Sequence, residues 1–179
     1  MTADTTPAST TAPTGASRTT LTDAERIEVQ RKVVAEHIAG ENTADYEFVR
    51  STFVQHDRSF FDSAAGGLHF DGTGGVADWY HILGTLLPDL HIDVTHSYDV
   101  PGCSLREMTA SGTHSADFGD IPASGRYVTW EAIALYIFDT EEPDKLIGER
   151  AYWDNDALMK RMRGEEAPPL LGLLQRGGR

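Results

Sequence analysis

Apolar residues change their spacing half-way along this chain. From Thr22 they recur at helical intervals: Ile27, Val33, Val34 and Ile38 follow one another, with Gln30 interrupting the stripe. Thr22 and Glu25 frame the start as a capping box, the Thr oxygen meeting the third amide while the Glu carboxylate returns to the cap amide. Gly40 marks the predicted end. A short second helix is predicted over 45–53, with Phe48, Val49 and Phe53 apolar. The run from Phe53 to Gly75 is aromatic, polar and glycine-rich, and reads as irregular. A third helix begins near Gly75, carries Val76, Trp79, Tyr80, Leu83, Leu86 and Leu87 at helical spacing, and stops at Pro88.

From His91 the period becomes two. Residues 91–98 alternate, which puts Ile92, Val94, His96 and Tyr98 on one face. Pro101-Gly102 turns the chain into a long, largely polar strand over 103–118. A loop at 121–125 leads to a strongly apolar strand, Tyr127–Phe138, and a turn at 141–145 leads to a last strand, Leu146–Trp153. A final helix covers Asn155–Arg163, with Asp154 placed to cap it. Three N-terminal helices, a four-stranded antiparallel meander and a short closing helix make an α+β pattern. Helices packed on one face of a curved sheet enclose a cone, whose open end is a natural apolar pocket.

Composition narrows the function. The chain has 179 residues and a net charge of −13. Between Glu36 and Lys145 there are 19 acidic and 5 basic residues, so the deficit belongs to the folded body. Nucleic acid and anionic membrane surfaces both require a basic patch, and neither is an expected partner. No stretch approaches the ~20 apolar residues of a spanning helix. Residues 1–20 are mostly Thr, Ala, Ser and Pro, with no apolar run of the kind a secretory signal needs. One cysteine, Cys103, excludes an internal disulfide and a multi-Cys metal site. The expectation is a cytoplasmic protein with a disordered segment at 1–20, one domain at 21–164 and a tail at 165–179. The apolar run Pro168-Pro-Leu-Leu-Gly-Leu-Leu174 in that tail is a candidate for folding back over a pocket or docking on a second subunit.

LLPDLHIDV, then GTHSADFGDIPASGRYVTWEAIALYIF, then KLIGERAYWDNDALMKRM, together with Val54-Gln55-His56-Asp57, resemble in order and spacing the SnoaL-like polyketide cyclases of the nuclear transport factor 2-like superfamily. The resemblance spans about residues 28–163. It implies a cone with a curved sheet and a deep pocket, often dimeric. It implies too an intramolecular aldol closure of a polycyclic skeleton, without metal or organic cofactor, in which a pocket Asp moves the proton. The catalytic Asp position falls on Ala151, and two further pocket positions fall near Ala132 and Ala134. Alanine cannot move a proton, so this chain keeps the scaffold and lacks the usual aldol apparatus.

Other residues must then carry any chemistry. If Ala151 faces the pocket, Glu149 shares its face, and burial would tune that carboxyl toward neutrality. His56, in the irregular stretch, is the second proton-handling candidate, with Asp57 to orient it. His96, on the apolar face of the first strand, and His114, in Gly112-Thr113-His114, complete the catalytic candidates. Trp79, Tyr80, Trp130, Tyr136 and Trp153 are the candidate substrate-binding aromatics. In the alternation Trp130, Ala132, Ala134, Tyr136, two small residues between two aromatics leave the room a cavity wall needs. No H-x-x-x-H pair is present, and no metal or other cofactor is expected.

The expected function is a small, cofactor-independent enzyme of secondary metabolism doing acid/base chemistry on an apolar polycyclic or terpenoid intermediate. The alternatives are a non-catalytic ligand-binding or scaffolding module, or a partner subunit of an oxidoreductase.

Overall fold

The computed structural model describes residues 21–170. The expected disordered segment at 1–20, and the tail beyond Leu170, lie outside those residues. Helix α1, Asp23–Asn42, starts on the predicted capping box: the Thr22 N–H donates to Glu25 Oε2 at 2.8 Å and the Glu25 N–H to Thr22 Oγ1 at 3.3 Å. Gly40 does not end this helix. It lets α2, Tyr46–Ser51, pack against it, since a Cβ there would sit 2.8 Å from the Val49 side chain. Helix α3, Gly72–Leu86, buries Val76, Trp79, Tyr80, Leu83 and Leu86, as the spacing predicts.

Six strands form one sheet in the order β2-β1-β6-β5-β4-β3. Strands β3 (His91–Val100), β4 (Cys103–Thr113), β5 (Tyr127–Phe138) and β6 (Leu146–Trp153) are the expected antiparallel meander, followed by α4, Asn155–Arg163. Asp154 caps α4 by accepting from the Ala157 N–H at 2.9 Å, and Gly164 ends it in the left-handed region at φ 77°. Strand β4 stops at Thr113, earlier than expected, and Phe118 and Ile121 close a separate small bridge.

The stretch read as irregular contains a hairpin, β1 (Phe60–Ser63) and β2 (Leu68–Asp71). Two four-residue strands are too short to display a period, and β1 is held in parallel by β6, some ninety residues away. The sheet is therefore not purely antiparallel. Gly148 makes that pairing feasible: a Cβ there would lie 2.2 Å from the Phe60 ring.

Register sorts the side chains facing the helices into rows. One row crosses four strands as Asp99, Ser104, Tyr136 and Glu149, and continues to Phe61 on β1. The next row runs Ser97, Arg106, Ala134, Ala151 and Ser63. Helix α1 lies over β3 and β4, and α3 over β1 and β2, where Trp79 stacks on Phe61 with centroids 4.0 Å apart. No helix among the described residues is long and apolar enough to cross a membrane.

Strand β3 corrects the reading of His96. A β-bulge at Thr95 separates the pairs Val94–Met108 and His96–Glu107. The extra residue inverts the alternation. Ile92, Val94, Ser97 and Asp99 stay on the inner side, while His96 and Tyr98 turn outward.

Candidate functional site

Under the helices, five buried polar side chains from α1, α3, the sheet and the end of α2 meet. Helix α1 contributes His37 and, one turn later, Glu41; α3 contributes Tyr80; β6 contributes Glu149; Thr52 follows α2. All five are less than 8 % exposed. The Tyr80 hydroxyl lies 2.9 Å from Glu149 Oε2 and 3.1 Å from His37 Nε2. His37 Nε2 lies 3.5 Å from Glu149 Oε2 and 3.8 Å from Glu41 Oε1. Tyr136 completes the wall, its ring centroid 5.3 Å from that of His37. Glu41 Oε2 and the Tyr136 hydroxyl are buried without a hydrogen-bond partner among the described residues.

The hydrogen bonds fix the imidazole. Thr52 Oγ1 donates to the Val49 carbonyl at 2.7 Å, so it accepts from His37 Nδ1–H at 2.8 Å. Nε2 therefore faces Tyr80. The tyrosine has one proton to give. If it goes to Glu149, Tyr80 accepts from a protonated Nε2; if it goes to Nε2, Tyr80 accepts from a protonated Glu149. One set of heavy-atom positions is compatible with both hydrogen-bond arrangements.

No Lys or Arg pairs with either carboxylate among the described residues. Burial, and after it the nearby charge of Glu149, push the Glu41 carboxyl well above the ordinary carboxylate value. Burial, then Glu149 and Glu41, also raise the Tyr80 and Tyr136 hydroxyls, which stay protonated. The cluster thus holds a carboxyl that burial pushes toward its neutral form and two phenols, beside His37 and Glu149. Such a group can take a proton from a carbon acid and donate hydrogen bonds to the oxygen that becomes charged.

A cavity of about 480 Å³ opens beside it, between α1 and the β3–β4 edge, lined by Arg31, Ala35, Ile38, Val94, Ser97, Asp99 and Arg106. Ile38 follows His37 on α1, and Arg106 sits diagonal to Tyr136 on the inner face. The cavity and the buried cluster therefore occupy adjacent faces of one helix.

The SnoaL-like polyketide cyclase profile matches residues 42–162. This chain belongs to that family. A SnoaL-like protein from Jannaschia sp. CCS1, described as a putative polyketide cyclase, aligns at 21 % identity with a TM-score of 0.60 over 82 % of this chain and 95 % of its own. AclR, a putative hydroxylase from Streptomyces galilaeus, aligns at 16 % identity and TM-score 0.65 over 87 % of this chain and 91 % of its own. SalBIII, an epoxide hydrolase/cyclase-like enzyme of pyran ring formation in the polyether salinomycin, aligns at 16 % and 0.60 over 73 % and 95 %. At these identities the likeness is one of fold. No curated protein matches the chain.

Within this SnoaL-like fold the predicted residues separate. Glu149 faces inward with Ala151 and lies in the cluster, as do the predicted aromatics Tyr80 and Tyr136. His56 does not join it: its Nδ1 accepts from the Arg58 N–H at 3.1 Å and its Nε2 lies 3.2 Å from Arg58 Nη2. Asp57 is exposed and makes no hydrogen bond to His56 among the described residues, because the two side chains diverge from adjacent positions in a turn. His96, turned outward by the bulge, pairs with Glu107 at 3.1 Å and is 61 % exposed. His114 is buried against Ser124 at 3.0 Å, where its backbone ties β4 to residues 125 and 126. Trp79 is packed on Phe61, Trp130 is in the core, and Trp153 donates to Asn155 at 3.3 Å; none of the three lines the 480 Å³ cavity.

His37 and Glu41 escaped the sequence reading, although a signal was present. Positions 30, 34, 37 and 41 form one stripe of α1 and all are buried. A stripe anchored by Val34 and Ile38 that also carries Gln, His and Glu is a polar seam inside the fold, not an interrupted apolar face. The structure brings a His-x-x-x-Glu pair to a strand Glu, and one ligand atom from each of His37, Glu41 and Glu149 lies within 4.8 Å of the others. These three are the donors that could hold a divalent cation.

Proposed function

We propose that this SnoaL-like protein is an acid/base enzyme of secondary metabolism acting on an apolar polycyclic or terpenoid intermediate. Its chemistry would be cyclisation, isomerisation, dehydration or ring opening. The reading is carried by the buried chain His37–Tyr80–Glu149, which replaces a single catalytic Asp with a proton relay. Glu149 or His37 takes the proton from the substrate, Tyr80 passes it on, and the Tyr136 hydroxyl with neutral Glu41 donates to the oxyanion. None of these side chains lines the cavity along α1, so a substrate reaches them from there only with a shift of α1 against the sheet.

Solvent exchange tests this. A bicyclic β-keto ester incubated with the protein in D2O should lose its α-proton signal faster than in buffer. Glu149→Gln should slow the catalysed exchange at least 100-fold, within the usual range for a proton-transfer group. Wild-type exchange no faster than buffer, or full activity in the variant, would refute the assignment. One observation favours a second reading, a binding module: Ala134 and Ala151 face each other at the inherited catalytic positions. Saturable binding of the keto ester with no exchange would support it.

A further inference from the structure

Arg106 is the only buried Lys or Arg among the described residues, at 5 % exposure, in a protein of net charge −13. A buried guanidinium is retained only if it is paired, and the pairing here is incomplete. Its Nη1 donates to Asp99 Oδ1 and to the Leu105 carbonyl, both at 2.9 Å. Its Nε and Nη2 donors have no partner among the described residues, and the side chain borders the 480 Å³ cavity.

Asp99 is the pivot. Its Oδ1 accepts from Arg106, and its Oδ2 accepts from Arg31 Nε at 2.9 Å. Both carboxylate oxygens are engaged, so Asp99 orients two guanidiniums and cancels one of their two charges. Arg31 reaches the cavity from α1 and is 57 % exposed, as suits a mouth residue; its other ion pair, to Glu28, is long at 3.9 Å and on the surface. The rest of the lining is Ala35, Ile38, Val94 and Ser97. The site is an apolar slot with one net positive charge and forked donors at one end.

We infer that this cavity recognises a small ligand with an apolar body and a single carboxylate, or an enolate of equal charge, held by Arg106 and Arg31 across Asp99. A planar anion with two oxygens matches the guanidinium fork. The volume falls within the range of small-molecule sites. Calling the ligand a substrate rests on the acid/base reading above; its binding does not. The row order gives the link. Arg106 is diagonal to Tyr136, and Tyr136 is directly opposite Glu149, so Arg106 shares the inner face of the sheet with the proton chain, two strands from Glu149.

Calorimetric titration with naphthalene-2-carboxylate and naphthalene-2-carboxamide separates charge recognition from apolar binding. The acid should bind at least tenfold more tightly than the amide. Arg31→Gln, at an exposed position that leaves the core intact, should reduce that ratio about fivefold, and Arg106→Met should abolish it. Equal affinities, no saturable binding of the acid, or an Arg31→Gln protein with undiminished discrimination overturns the inference. If the ratio behaves as stated but Glu149→Gln still exchanges deuterium at the wild-type rate, the acid-binding site stands and the catalytic reading fails.

Discussion

Helix α1 presents charge to the interior on two neighbouring faces, and the two are neutralised differently. On the face carrying Arg31, Asp99 is flanked by two guanidiniums, and both its oxygens are engaged. On the face carrying His37, Glu41 and Glu149 have no cation of Lys or Arg beside them among the described residues. One site is balanced by fixed charge; in the other, burial pushes the Glu41 carboxyl toward its neutral form. Fixed charge makes a rigid recognition site, and proton balance makes a site that can transfer one. On the proposed reading, side chains of the same few types serve binding on one face and acid/base chemistry on the other, according to whether arginine is present.

The largest effect should come from removing the pivot. Asp99→Ala leaves Arg106 buried without its counter-ion, and breaking such a pair costs about 3–5 kcal/mol. Chemical denaturation should read this directly. Glu41→Gln should cost far less, under about 1.5 kcal/mol near pH 5, because it replaces a carboxyl that burial pushes toward its neutral form with an amide of nearly the same shape. An equal loss in both variants would erase the distinction between the two faces.

The pH dependence sharpens it. At Asp99, burial is outweighed by hydrogen bonds from the arginines, and the carboxyl is held below its ordinary value of 3.8. Its stabilisation is complete above that value and is lost as the pH falls further. Glu41 is raised above 4.5, so the native state binds the extra proton and stability declines as the pH rises above 4.5. Asp62, Asp89 and Asp139 are held below their ordinary value too, so stability measured from pH 3 to 8 should show an acid limb that Asp99→Asn makes shallower and a declining limb that Glu41→Gln flattens. The smallest effect should be that of Arg31→Gln. Its side chain is largely in solvent, and the melting temperature should move by less than about 2 °C.

The elements with a long, clean period were legible in the sequence. Strands β5 and β6 and helix α4 match their predicted bounds, and α3 buries the predicted stripe, because burial on one face imposes that period directly. The β1–β2 hairpin was not legible, since its pairing with β6 is long-range. Nor was the Thr95 bulge, which exchanges faces without changing composition. The site was half legible. Glu149, Tyr80 and Tyr136 followed from strand alternation and aromatic content. His37 and Glu41 were not legible in the apolar spacing of α1, which marks Gln30 as a break in the stripe and gives no sign that the polar residues on that face are buried. His56 matched a motif, yet its local partner Arg58 holds it away from the proton chain.

The proposed relay requires that His37 and Glu149 work as one unit through Tyr80. The direct measurement is the catalysed deuterium exchange rate of the bicyclic β-keto ester in wild type, His37→Gln, Glu149→Gln and the double variant. Members of one relay do not add. Each single variant should lose at least about 100-fold, and the double variant should lose no more than the worse single. Losses that multiply in the double variant, or a His37→Gln protein at the wild-type rate, would contradict the account.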